Sequence, residues 1–207
     1  MSQNVPTHTV GVGTGTPLVN GADQNVTYAA SKDTNTQTIV TDGWTNRQTA
    51  IVKAGDVLKF AGCFAVNPVT KATLSHLKEF VVTADANSGA STGPATITIS
   101  PAMITSGAHQ TASAAPANNA AITLKGTGGT GYDMNMMFTR NAFALVSVPL
   151  VSPPGAVDVS RQSYKGTNVR VIPVYDGTND KSTWRLDVLY GVKCIDERQA
   201  VRVSGTA

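Results

Sequence analysis

The chain has 207 residues and an apolar share of 41%, enough to fill one large or two small cores. Charged residues make up only 14%; Thr, Ala, Gly, Asn and Ser fill the space, a mixture suited to β structure with many turns and extensive protein contacts. The net charge is +3, without a dense basic stripe interleaved with aromatics, and this disfavours a protein whose role is to grip nucleic acid.

The charge is unevenly placed. Residues 1–137 hold seven Lys and Arg against seven Asp and Glu, and residues 138–207 hold nine against six, so the excess lies in the carboxy-terminal part and leaves room for a weakly basic face that tolerates DNA. Met1-Ser2-Gln3-Asn4-Val5-Pro6 lacks the basic-then-apolar layout of a secretory signal, and the longest apolar run, around Phe143 to Val151, is too short to span a bilayer. The expectation is a soluble chain with no visible export signal and no membrane partner. Cys63 and Cys194, far apart in sequence, read as two free thiols.

Residues 1–38 carry Gly11, Gly13, Gly15 and Gly21 and read as an irregular opening segment with short strands. Short β-type runs follow at Thr38–Thr41, Thr49–Val52, Val57–Ala65, Glu79–Ala84 and Ala95–Ser100. Gly55-Asp56 is a turn between two of them. Apolar and polar residues alternate in Val57–Ala61 and Thr96–Ser100, as in strands with one solvated face. Runs of this length at this spacing predict a small, closed or nearly closed barrel, which would also remove exposed edges.

A low-complexity stretch, Ser113–Ala120, leads to a strand at Ala121–Lys125, and the glycine cluster Gly126–Gly131 marks a domain boundary. Met134–Ala144 is the one convincing helix candidate, with Met136, Met137, Arg140 and Ala144 at helical spacing and Phe143 on the side of Met136. Val146–Val151 reads as a strand, bent or at an edge because of Pro149, and Pro153-Pro154-Gly155 ends it.

No catalytic, cofactor-binding or metal-ligating residue is assigned. Gly126–Gly131 matches a dinucleotide fingerprint in letters, but no Asp or Glu stands about twenty residues on and no strand–helix alternation precedes it, so a flexible interdomain loop explains it better. The Gly11–Gly15 run lacks the Lys-Ser/Thr ending of a phosphate loop. His8, His76 and His109 have no second ligand at metal spacing and read as surface or barrel-rim residues. Cys63 sits in an apolar strand as an inert thiol. Asp176, Asn179 and Asp180 lack the spaced carboxylates and closing Glu of a calcium loop and read as a hairpin turn. Asn25-Val26-Thr27 is a sequon without a signal peptide, and Asp196-Glu197 is a solvated turn before a strand at Ala200–Val203.

The last forty residues carry the most information. Tyr164-Lys165-Gly166-Thr167-Asn168-Val169-Arg170-Val171 leads through Asp176-Gly177-Thr178-Asn179-Asp180 into Trp184–Val192, a strand, turn, strand pattern closing on Tyr190-Gly191-Val192. This resembles the carboxy-terminal strands of major coat proteins of tailed double-stranded DNA phages of the Salmonella podophage type. Lys53–Val57 with Phe60-Ala61-Gly62, Ala65–Thr70, Phe80–Asp85 and Phe138–Leu150 resemble the same family.

The resemblance implies a β-rich α+β chain: residues 1–125 as a β-barrel insertion domain, and residues 126–207 as the remaining helix and antiparallel strands of the capsid fold. Tyr164–Tyr175 and Trp184–Tyr190 would be paired strands. It also implies a non-enzymatic capsid subunit of the virion, made in the host cytoplasm. Such a subunit would form pentamers and hexamers of a homo-oligomeric shell, with scaffolding and portal proteins as further partners. Packaged DNA would be touched only weakly. The family's amino-terminal arm, extended loop and long spine helix have no counterpart here. The chain would therefore be a carboxy-terminal fragment, a shortened reading, or one piece of a subunit completed by another chain. The alternatives from other classes are a free-standing β-rich binding or accessory (decoration) module, which would need aromatics exposed on one sheet face, and, ranked last, a hydrolase, for which no acid pair, nucleophile and base, or metal set stands out.

Overall fold

A computed structural model describes residues 5–156 and 158–204. The chain is β-rich, and helix is confined to α1 (Tyr28–Ser31) and a 3-10 turn at Glu197–Gln199 among the described residues. It divides into two compact units, one reaching Met134 and taking in Ser204, the other Asn135–Val203.

The first unit is built on a six-stranded antiparallel sheet. Its strands are β2 (Gly15–Val19), β3 (Gln37–Trp44), β4 (Val57–Val66), β5 (Thr73–Val82), β6 (Ala95–Ser100) and β7 (Ile122–Leu124), in the order β2-β3-β6-β5-β4-β7. The two outer strands nearly meet. Leu18 bridges Ala121, Val19 N donates to Ala120 O at 3.0 Å and Asn119 N to Val19 O at 2.8 Å, so the sheet curls into a nearly closed barrel. The alternation read in β6 places Ala95, Ile97 and Ile99 inside. They join Ile39, Leu58, Phe60, Phe80, Val82 and Met103 in one core, with the Phe60 and Phe80 rings edge to face at 5.5 Å.

Buried polar groups are paired inside this core. Trp44 Nε1 donates to Thr41 Oγ1, which donates to Ala95 O, each at 2.9 Å. Asp56, 2% exposed, ends the Lys53–Asp56 turn, and its carboxylate accepts from Gly11 N at 3.0 Å, Lys53 N at 2.7 Å and His8 Nε2 at 2.7 Å. His8 lies on β1 (Thr7–Thr9), which pairs with β8 (Gly131–Phe138). The carboxylate thus closes its own turn and ties it to the opening segment at His8 and Gly11.

Strands β4 and β5 form a long hairpin whose tip is held by Asn67: its Oδ1 accepts from Val69 N at 2.8 Å and Thr70 N at 3.1 Å, and its backbone pairs with Ala72. Val69 at the tip is 85% exposed. The strand starts six residues before the expected Glu79, because Thr73–Lys78 is too polar to read as a strand but pairs with β4 through Phe64–Leu77 and Val66–Thr73, with register shifts between the pairs.

Two expected elements are corrected. Thr49–Val52 is irregular with a lone Val52–Ala86 bridge; Ala50 sits at φ 51°, which interrupts a strand, and its N–H is taken by Asn87 Oδ1 at 2.7 Å. Met134–Ala144 is not a helix. Residues 131–138 are β8, residues 139–142 turn with Ala142 N on Thr139 O, and β9 begins at Phe143. Met134, Met136 and Phe138 also recur every second residue, so the spacing taken as helical fits a strand equally, and β1 and residues 200–204, on either side of β8, are neighbours that local pattern cannot show.

The second unit contains β9 (Phe143–Val148), β10 (Ser160–Tyr164), β11 (Thr167–Asp176), β12 (Lys181–Asp187) and β13 (Leu189–Cys194), arranged as a β10-β11-β12 sheet and a β9–β13 pair. β14 (Ala200–Ser204) lies beside β8. Tyr164–Tyr175 is not one strand: Lys165 and Gly166, at φ 46° and 83°, form the two-residue turn of a β10–β11 hairpin. Likewise Trp184–Tyr190 divides at Val188 between two sheets. The β11–β12 pairing itself follows the expected turn at Asp176–Asp180.

Replacing Asp56 by Ala should cost about 3 kcal/mol in urea unfolding, since two backbone donors and His8 lose a charged acceptor. Asp56→Asn, which keeps an acceptor, should cost less than half as much.

Candidate interaction surface

The register of the three-stranded sheet sorts its side chains onto two faces. Arg161 faces Arg170, Arg170 faces Asp187, and Ile172 faces Arg185, so these residues share one side. On it Ile172 is buried, and Asn168 reaches Ser147 of β9, its N–H donating to Ser147 Oγ at 3.0 Å and its Nδ2 to Ser147 O at 3.0 Å. Asp187 accepts from Arg170 Nε at 3.2 Å and Nη2 at 2.5 Å and from Arg185 Nε at 2.7 Å, while Arg170 Nη1 also donates to Val151 O. The Arg170 and then the Arg185 guanidinium hold the Asp187 carboxyl below its ordinary range.

The other side is apolar. Leu186 lies opposite Val171 and Trp184 opposite Pro173, with Val169 and Tyr175 in the same rows. Leu186 is 69% and Trp184 64% exposed. An open groove of about 480 Å³ runs between Trp184, Tyr175, Pro173 and Ala156. The β9–β13 pair is similar: Leu145 faces Val192 and Val148 faces Leu189, all exposed. A lone two-stranded sheet is marginal in water. Among the described residues of this unit only Ala142 and Ile172 are buried apolar side chains. Of the large apolar side chains exposed among the described residues, Val5, Tyr28, Val40, Phe64, Val69 and Val81 belong to the first unit and all the others lie between Met136 and Val203.

The residues weighed for chemistry fall elsewhere. Gly126–Gly131 leads into β8, not a helix, and is not a flexible linker: Gly129 N donates to Val10 O at 3.1 Å, and a Cβ on Gly128 would meet Val12 O at 2.1 Å. Gly11 packs equally close, its added Cβ 2.5 Å from Val52 Cα. His76 is exposed, His109 stacks on Tyr28 with centroids 3.7 Å apart, and His8 is the Asp56 partner. Asp176 accepts from Thr178 N at 3.0 Å and Asn179 Nδ2 at 2.7 Å, closing the hairpin turn; those contacts, Asn179 first, lower its carboxyl pKa. Asn25 Nδ2 donates to Thr105 Oγ1 at 2.9 Å. No cluster of His, Cys, Asp and Glu able to hold a metal occurs among the described residues, and no helix there is long and apolar enough to cross a membrane.

Both cysteines are free thiols. Burial pushes the Cys63 thiol up to about 11, whereas Cys194 is half-exposed. A chromogenic disulfide reagent at pH 8 should therefore modify Cys194 within minutes and reach Cys63 only after denaturation. Asp196 precedes the 3-10 turn, and its bonds to Arg198 hold its carboxyl at about 2. The stability this contact adds is present above the ordinary carboxylate range and is lost as pH falls through about 2. In a carboxyl NMR titration, Arg198→Ala should return the Asp196 midpoint toward 4.

A family model described as P22 coat protein, gene protein 5, matches residues 1–204. The major capsid protein of Acyrthosiphon pisum secondary endosymbiont phage 1 is 29% identical over 180 residues, which is 83% of this chain and 42% of that protein. The chain thus spans about two fifths of the length of this curated relative. Among solved structures, the CUS-3 coat protein I-domain aligns at 27% identity and a TM-score of 0.35, covering 54% of this chain and 96% of its own. With the match running over almost its full length, the chain belongs to the P22 coat protein family.

Proposed function

We propose that the chain is a structural part of a phage major capsid subunit, and that it works by assembly into an icosahedral head enclosing double-stranded DNA. The observation that carries this reading is the contrast between a barrel that fills its own core and a second unit that leaves Leu145, Trp184, Leu186 and Val192 open to solvent. Contiguous apolar surface of this kind marks contact with other polypeptide. Membership of the coat protein family and the name of the curated relative support the same conclusion.

In this reading the barrel, residues 1–125, is an insertion domain that supports folding or neighbour contacts, and residues 126–207 contribute strands to the capsid fold. Many modest, repeated contacts add to strong collective stability in a closed shell while each stays reversible during growth. Scaffolding and portal proteins would be further partners of the assembled head, and the virion its place. The basic excess after residue 138, with Arg140, Arg161, Lys165 and Lys193 exposed, suits a surface that tolerates packaged DNA through weak, salt-dependent contact.

Negative-stain electron microscopy with light scattering, on the protein from its native source, should find shells or capsomer-sized rings. A clean monomer would overturn assembly by this chain. Serine at both Leu145 and Val192, an exposed cross-strand pair, should change unfolding free energy by under about 1 kcal/mol and lower the associated fraction at least ~10-fold.

A further inference from the structure

β12 is the outer strand of its sheet, and among the described residues no strand lies beside its free edge. Outer strands are commonly blunted by proline or a bulge. β12 has no proline and pairs with β11 over all 7 of its residues without a bulge. Its sequence, Lys-Ser-Thr-Trp-Arg-Leu-Asp, has a further property: it is charge-complementary to its own reverse. An antiparallel copy centred on Trp184 sets Lys181 opposite Asp187 of the second copy, Thr183 opposite Arg185, and Trp184 opposite Trp184.

Neighbouring registers are excluded. A slip by one residue opposes the charged face to the apolar one. Centring on Thr183 opposes Lys181 to Arg185, and centring on Arg185 opposes that residue to itself, like charges directly opposed in both cases. The other strand edges of the second unit offer no such match: β10, β13 and β14 each carry a single charge, Arg161, Lys193 and Arg202, and β9 carries none. Lys181 takes part in none of the ion pairs among the described residues and is available to a second chain, where it would join Arg170 and Arg185 as a further cation beside the Asp187 carboxylate.

We propose that β12 pairs antiparallel with β12 of a second copy of this chain, about a twofold axis at Trp184, through its backbone edge and the matched Lys181 and Asp187 charges. The two three-stranded sheets then form one six-stranded sheet in which the apolar row of Pro173 with Trp184 is continued across the axis, while Leu186 faces Ser182 of the second copy. The contact is isologous, as a twofold interface requires. It rests on the assembly reading only in needing two copies to meet, and holds for a dimer as well as for a shell.

The test is site-directed crosslinking on the full chain in a Cys194→Ser background, with Cys63 left in the core. Lys181→Cys and Asp187→Cys are prepared separately, mixed and oxidised. Directly opposed positions lie within disulfide reach, whereas position 181 of one copy is roughly 20 Å from position 181 of the other. The mixture should give a covalent dimer at least ~10-fold faster than either variant alone. Trp184→Cys should dimerise by itself, and it decides the question alone if Asp187→Cys fails to fold. No acceleration in the mixture together with a monomeric Trp184→Cys overturns the proposal. Microscopy of the unsubstituted chain separates the two readings: shells without this crosslink leave assembly standing and remove the β12 contact, and crosslinked dimers without shells do the reverse.

Discussion

An antiparallel sheet in water has to cover at least one of its faces, and the two units of this chain meet that requirement in different ways. In the first, six strands curl until Leu18 bridges Ala121, so that one sheet supplies both walls of its own core and residues such as Leu58, Phe60 and Phe80 are fully buried. In the second, three strands and a separate pair are too few to curl. One face of β10-β11-β12 carries an organised ion network around Asp187, and the opposite face keeps its apolar side chains outside. The difference follows from the number of strands in each sheet more than from hydrophobicity, since both units are rich in Val, Leu and aromatic residues.

Closing a barrel leaves connecting segments with backbone groups that the strand ladders cannot serve, and polar side chains serve them here. Asp56 does so for Gly11 and Lys53. Gln37 does so twice, its Nε2 donating to Gln24 O at 2.6 Å and its Oε1 accepting from Met103 N at 2.8 Å. Ser88 accepts from Gln48 N at 2.8 Å. These three are among the buried polar side chains of the unit, and each holds an irregular segment against the sheet. The irregular opening segment is therefore ordered without being regular.

The alternating strands β4 and β6 were legible because one face of each meets the core and the other meets solvent, which period-two alternation records directly. The Asp176–Asp180 turn was legible from turn chemistry. The first half of β5 was not, since Thr73, Ser75 and His76 are exposed and owe their strand geometry to β4. The Met134–Ala144 helix failed for a related reason: a run with apolar residues at two, three and four apart is ambiguous, and the neighbours of β8, the strands β1 and β14, are distant in sequence. Composition announced a contact-rich protein through its low charge, but which face of β11 and β12 stays open could not be read. Val169, Arg170, Val171 and Ile172 are an unbroken mixed run, and only the register against β12 shows that Ile172 is inside while Leu186 is out.

The hairpin tip at Asn67–Ala72 has a practical consequence. Its turn is closed by its own side chain and backbone, through Asn67, with no help from the core, and it stands at the end of strands already zipped below it. Loop entropy grows slowly with length, about 0.6 kcal/mol for each doubling, so foreign sequence spliced between Val69 and Thr70 would leave the barrel's register untouched. A particle built from such chains would carry that sequence many times over on one defined hairpin, a ready scaffold for displaying a peptide epitope.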